Sequence, residues 1–160
     1  MRTLLPLAQS DDGILKLKAI DVSVNEFNKE WLNSLAQAMH FTMHEHQGIS
    51  ISAPQVYVSK RMILIASRPT PRYPDAPEME AVIMINPTIL AQSERHVMLE
   101  ESCLSSPYEH FLVSRTYAIK VRFMTLSGEL IEAKYEGIPA RLIQHEIDHL
   151  NGITLQDRVV

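Results

Sequence analysis

The segment QHEIDHLNG, residues 144–152, sets His145 and His149 four residues apart, and Glu146 directly follows the first histidine. On a helix, positions i and i+4 project from one face about one turn apart, so two imidazoles placed this way can grip one metal ion. A glutamate beside the first histidine can reach a metal-associated water without being a ligand, which is what metal-assisted hydrolysis requires. The flanking residues support the helix. Gly137 and Pro139 open it, with proline tolerated in the first turn, and Asn151-Gly152 offers a stop. Immediately before it, Ile119, Val121 and Phe123 alternate with Lys120 and Arg122. Ser127-Gly128 then turns the chain into a second run over 129–135. This predicts a β-hairpin that leads into the histidine helix.

Further upstream, Phe27, Trp31, Leu35 and Met39 recur every four residues, widened by Leu32, Ala36 and Ala38. Ser23 with Glu26 three residues on has the form of a capping box, and Gln47-Gly48 supplies a stop, so the pattern predicts a long helix over about 24–46. Two β-rich runs, 61–66 and 81–86, are separated by residues 67–77, which carry four prolines and read as a surface loop. The expectation is α+β: a single compact domain over 1–160, with antiparallel strands packed around the histidine helix and a long helix in the N-terminal half.

Composition excludes several classes. The 160 residues are 46% apolar and 21% charged, which is ordinary for a globular chain. The net charge of -4 gives no attraction for nucleic acid or anionic membranes, so neither is expected as a partner. The longest apolar runs are a strand in length, well short of the ~20 residues of a membrane span. The N-terminus lacks the apolar stretch of an export signal. One cysteine permits no internal disulfide, and a reducing cytoplasm is the expected compartment.

A catalytic metal site usually takes a third protein ligand and keeps one position open. Cys103, in ESCLS (101–105), is the leading candidate, although a lone cysteine read alone is a small buried hydrophobe. A competing metal reading is offered by His40, His44 and His46, but no glutamate stands in the catalytic place. Three histidines near a helix C-terminus are explained by exposure and the helix dipole. The third segment is GISISAPQ (48–55), where small residues let a peptide approach the backbone as an added strand and the Gln55 amide can donate to an oxyanion.

In this order and spacing, GISISAPQ, ESCLS and QHEIDHLNG resemble the three motifs of the peptide deformylase family, and the likeness extends over most of the chain. The resemblance implies that Cys103, His145 and His149 hold one divalent metal. A ferrous ion is usual in the family, with zinc, nickel or cobalt able to replace it. It implies that Glu146 is the general acid/base and that Gln55 and the backbone N–H of Leu104 face the oxyanion. Glu101 and Arg115 match a paired carboxylate and arginine. Ile138 and Leu142 would line a methionine pocket, with Gly48, Ile49 and Ser50 along the substrate backbone. The implied substrates are N-formylmethionyl peptides or nascent chains, from which formate is released.

The sequence departs from the family pattern at Ser50 and Ser102, where glycine is usual, and at Ser52, where alanine is usual. Only 11 residues follow His149, fewer than the C-terminal helix that many bacterial relatives use at the ribosome, so ribosome contact is doubtful. Two rivals share the residues: an H-E-x-x-H metallopeptidase, and a formyl-peptide binding module weakened by the serines.

Overall fold

The computed structural model describes residues 2–160. Five antiparallel strands form the main sheet: β1 (Ser50–Ser52), β2 (Met62–Ile65), β3 (Val82–Gln92), β6 (Ala118–Met124) and β7 (Leu130–Glu136), in that spatial order. A separate two-stranded hairpin consists of β4 (His96–Cys103) and β5 (Ser106–Thr116). The helices are α1 (Glu30–Glu45), α2 (Gly137–Leu150) and a single turn, α3 (Leu155–Arg158).

Strand β2 is continuously apolar because both faces of the sheet are covered there. Its side chains alternate: Ile63 and Ile65 join Ala140, Ile143, Ile147 and Leu150 of α2, while Met62 and Leu64 join Leu32, Ala36, Met39 and Met43 of α1. The histidine helix therefore lies on one face and the long helix on the other. The hairpin β6–β7 pairs Ala118 with Glu136 through Met124 with Leu130 and hands the chain directly to α2. Gly137, the residue that makes this corner, has a φ of +64°, a conformation that glycine adopts without strain.

Two expectations need correction. The predicted helix over 24–46 is divided: Val24–Glu26 form a separate 3-10 turn, and α1 begins at Glu30. The cause is local. Glu26 receives the Ser23 N–H at 2.7 Å but also pairs with Lys60 at 2.8 Å, and Asn28 takes a left-handed φ of 64° that breaks the helical path. Trp31, placed on the buried stripe, is 40% exposed, and the packed face runs through Leu32, Ala36, Met39 and Met43. The hairpin β4–β5 was not anticipated. Most of β4 and much of β5 are exposed or half-buried, so neither carries a regular apolar alternation.

One polar side chain locks the chain ahead of α1 to the sheet. Asn86, at a register shift in β3 and with a φ of 51°, accepts the Val22 N–H and donates to the Val22 carbonyl, both at 2.9 Å. Asn86→Ala removes both bonds and places a less tolerant residue in the left-handed region, and we expect a loss of about 2 kcal/mol. Urea unfolding checks this, and a change below about 0.5 kcal/mol would mean that the bracket contributes little.

Candidate active site

Helix α2 buries a run of polar side chains, namely Arg141, His145, Glu146, Asp148 and His149. Burying charge is costly unless each group finds a partner, and most of these do. Glu101, from β4, is the hub: Arg115 donates to it from Nε at 2.8 Å and Nη2 at 3.0 Å, His145 Nδ1 lies 2.9 Å away, and Arg141 makes a short contact. Burial opposes its charge, but His145 and Arg115 outweigh that and hold the carboxyl well below the usual carboxylate range. Arg115 also reaches Asp148 at 2.8 Å, and Arg158 reaches Asp148 from α3 at 2.9 Å.

Beside this hub, one face of α2 presents His145 and His149 with ring centroids 5.1 Å apart. The end of β4 brings Cys103 against them, with its Sγ 3.2 Å from His149 Nε2. One donor atom from each of Cys103, His145 and His149 lies within 4.8 Å of the other two, and all three side chains are buried. Among the described residues this is the one group of three such side chains able to hold a metal; His40, His44 and His46 form no such group. A thiolate with two imidazoles suits iron, cobalt, nickel or zinc, and lacks the oxygen donors that magnesium and calcium need. The residues present therefore fit a divalent transition metal.

The electrostatics agree with that donor set. Burial works against a thiolate at Cys103, yet His149 and His145 beside it bring its pKa well below the ordinary thiol value. Burial likewise disfavours a charged His145, but Cys103, Glu101 and Glu146 push its pKa well above that of free histidine. Glu146 is pushed up, first of all by burial. Its Oε2 accepts a hydrogen bond from the Ser50 hydroxyl at 2.6 Å, while its Oε1 is buried with no partner among the described residues.

Gln55 lies beneath the site in a 3-10 turn, Ala53–Val56. Its carbonyl oxygen accepts the Ser52 N–H at 2.9 Å and the Ser52 hydroxyl at 3.0 Å, which aims the amide NH2 at Cys103 Sγ (3.3 Å) and Ser105 Oγ (3.2 Å). Above lies a cleft of about 350 Å3, lined by Gly48, Ile49 and Ser50 from the sheet edge, by Cys103 and Leu104, and by Leu142, His145 and Glu146 from α2. Gly48 faces Leu104, where an added Cβ would come within 2.9 Å of the leucine side chain. Gln55, His149 and Arg115 stand behind the lining, and Ile138 packs against the α2-side core. None of Ser50, Ser52 and Ser102 has a positive φ, so the backbone accommodates a Cβ at each without left-handed strain.

Sequence reasoning missed three parts of the site. Arg141 and Asp148 carry no signal of their own beyond lying on α2, and they acquire meaning only through Glu101 and Arg115. The proline-rich stretch read as a surface loop contains no helix or strand, yet its residues 70–73 form a wall of the cleft. Tyr73 is anchored there by its hydroxyl, which donates to the Glu100 carbonyl at 2.7 Å, and burial pushes its pKa up to about 12.

Comparison with known proteins gives one consistent result. The family described as polypeptide deformylase matches residues 4–160. Peptide deformylase 2 of Shewanella oneidensis is 42% identical over 154 residues, which cover 96% of this chain and 83% of that protein. Peptide deformylase 2 of Nostoc sp. is 40% identical over 98% of this chain and 86% of its own length. Among solved structures, a Met-Ala-Ser-bound class I type b peptide deformylase from Acinetobacter baumannii superposes with a TM-score of 0.97 at 54% identity, over 99% of this chain and all of that one. The peptide deformylase of Thermotoga maritima gives 0.87 at 30% identity, over 99% of each chain.

Arg115 is the cation shared by Glu101 and Asp148, so its removal takes a partner from each buried carboxylate, leaving Glu101 to Arg141 and His145 and Asp148 to Arg158. Arg115→Ala is expected to cost about 3 kcal/mol, whereas Arg122→Ala, at an exposed pair on the outer sheet, should cost less than about 0.5 kcal/mol. Urea unfolding of the two variants checks this, and equal losses would mean that Glu101 is not held as described.

Proposed function

We propose, since the chain belongs to the peptide deformylase family and removes the N-formyl group from formylated peptides, that Cys103, His145 and His149 hold its metal and that Glu146 carries the proton. The observation that supports this most strongly is the meeting of the three donors with the unpartnered Oε1 of Glu146 at one cleft. When bound, a divalent ion there supplies Lewis acidity to the attacking water and to the formyl oxygen. We take a ferrous ion as the native metal on the strength of the family resemblance, with zinc, nickel or cobalt as competent substitutes; one sulfur and two imidazoles suit all four ions. No helix among the described residues is long and apolar enough to cross a membrane. The lone cysteine as ligand and the formylated substrates favour a reducing cytoplasm as the working compartment.

Each residue then has a task. The substrate lies extended along the free edge of β1 and the segment that leads into it, where the backbone of Gly48, Ile49 and Ser50 offers hydrogen-bonding groups to a peptide added as a strand. Leu142 and the Ile49 side of the cleft receive the methionine side chain. Glu146 removes a proton from the water as its oxygen attacks the formyl carbon, and the Gln55 amide and the Leu104 N–H stabilise the oxyanion. Glu146 next returns the proton to the amine nitrogen as the carbon–nitrogen bond breaks, giving formate and a free N-terminus. The Met-Ala-Ser peptide bound by the Acinetobacter relative has the N-terminal methionine of such a product.

The test is formate release from formyl-Met-Ala-Ser under oxygen-free, metal-replete conditions. Wild type should turn over with one metal per chain. Cys103→Ala should lose most of its metal by elemental analysis, and a variant that keeps full occupancy would remove Cys103 from the ligand set. Glu146→Gln should keep metal and fold while kcat falls at least about 100-fold. Retention of a tenth of wild-type kcat would take the proton-carrier role away from Glu146.

A further inference from the structure

Ser50 and Glu146 lie 96 residues apart in the chain, and their side chains meet at the floor of the cleft. The Ser50 hydroxyl donates to Glu146 Oε2 at 2.6 Å, the separation of a charge-assisted O–H···O⁻ bond. It is the one hydrogen bond the carboxylate receives among the described residues. The other oxygen, Oε1, is buried and unpartnered. A glutamate side chain has three rotatable bonds, and without an anchor its carboxylate would sample several directions. Here one oxygen is fastened and the other is left free.

The anchor is itself rigid. Ser50 lies in β1, which pairs with β2 through Ser50–Ile65 and Ile51–Leu64, and the Ala66 N–H donates to the Ile49 carbonyl at 2.8 Å. Ile51 and Ile65 on either side of that pairing are fully buried. The hydroxyl therefore projects from a fixed strand onto a fixed helix. Glycine or alanine at position 50 would leave both oxygens of a buried carboxylate without a protein donor.

We propose that Ser50 is a positioning residue for Glu146: its hydroxyl holds Oε2 so that Oε1 is presented to the reacting groups. This rests on the reading of Glu146 as the proton carrier, and it separates the serine side chain from the substrate-binding role of its backbone. Misplacing a reacting group by a fraction of an ångström slows the chemical step more than it weakens binding. The effect should therefore fall on kcat.

The experiment compares wild type with Ser50→Ala, both metal-loaded, using formyl-Met-Ala-Ser and a crystal structure of each. The variant is expected to hold one metal per chain, to lower kcat about tenfold, and to leave KM within about twofold. Its Glu146 carboxylate should occupy more than one orientation, where wild type shows one. A rise in KM with kcat unchanged would make Ser50 a substrate contact and overturn the proposal. Unchanged kinetics, or a Glu146 carboxylate in the same place in both structures, would also overturn it. Failure of the deformylase reading looks different: wild type itself would release no formate, while the crystallographic comparison would still report whether Ser50 orients the carboxylate.

Discussion

The carboxylate of Glu101 is the constraint on which the site depends. Two guanidinium groups and one imidazole converge on it: Arg115 from β5, and Arg141 and His145 from α2. With Asp148 as the second acceptor of Arg115, the buried cluster sets two carboxylates against two buried arginines, and Arg158 reaches Asp148 from the exposed side. The apolar core cannot do this work. Among the described residues, the apolar cluster around Cys103 comprises Val113, Leu155 and the half-buried Phe111. The hairpin that carries the cysteine is therefore held to the histidine helix mainly by polar contacts, which are directional and fix distance as well as attachment. That is what bringing three donor side chains from two elements to one point requires.

The main sheet divides the remaining labour. One face packs α1 and fixes β1, the edge strand that borders the cleft. The other packs α2, which supplies two imidazoles and a glutamate. Every residue of β2 is buried between these two layers, so the edge strand and the helix are referenced to the same strand. Second contacts restrain the site further: His145 is oriented by Glu101, Gln55 by Ser52, and Glu146 by Ser50. In each case the partner restrains the rotamer of a side chain at the site.

Much of this was legible in the sequence, and the parts that were not have physical reasons. Local patterns were enough for α2, for the hairpin β6–β7 and for the α+β class, because periodicity and turn residues agree there. The start of α1 was misread because a capping box signals a helical turn but cannot say how many turns follow. A lysine 34 residues away and a left-handed asparagine ended that turn. The hairpin β4–β5 left no trace because much of it faces solvent, and an exposed strand needs no apolar alternation. The segments around Gln55, Cys103 and His145 stood out by residue type and spacing, and the motif resemblance connected them. The roles of Arg141, Asp148 and Tyr73 were hidden because each depends on a partner that only the tertiary structure supplies. Ser50 was visible as a departure from a pattern, but the carboxylate it touches was not.

The central claim is that one sulfur and two imidazoles, from Cys103, His145 and His149, form the metal centre. X-ray absorption at the metal edge of the zinc-loaded chain tests it most directly. The account predicts one sulfur at about 2.3 Å, two imidazole nitrogens at about 2.0–2.1 Å and one further light atom. A coordination shell of nitrogen and oxygen with no sulfur would contradict it.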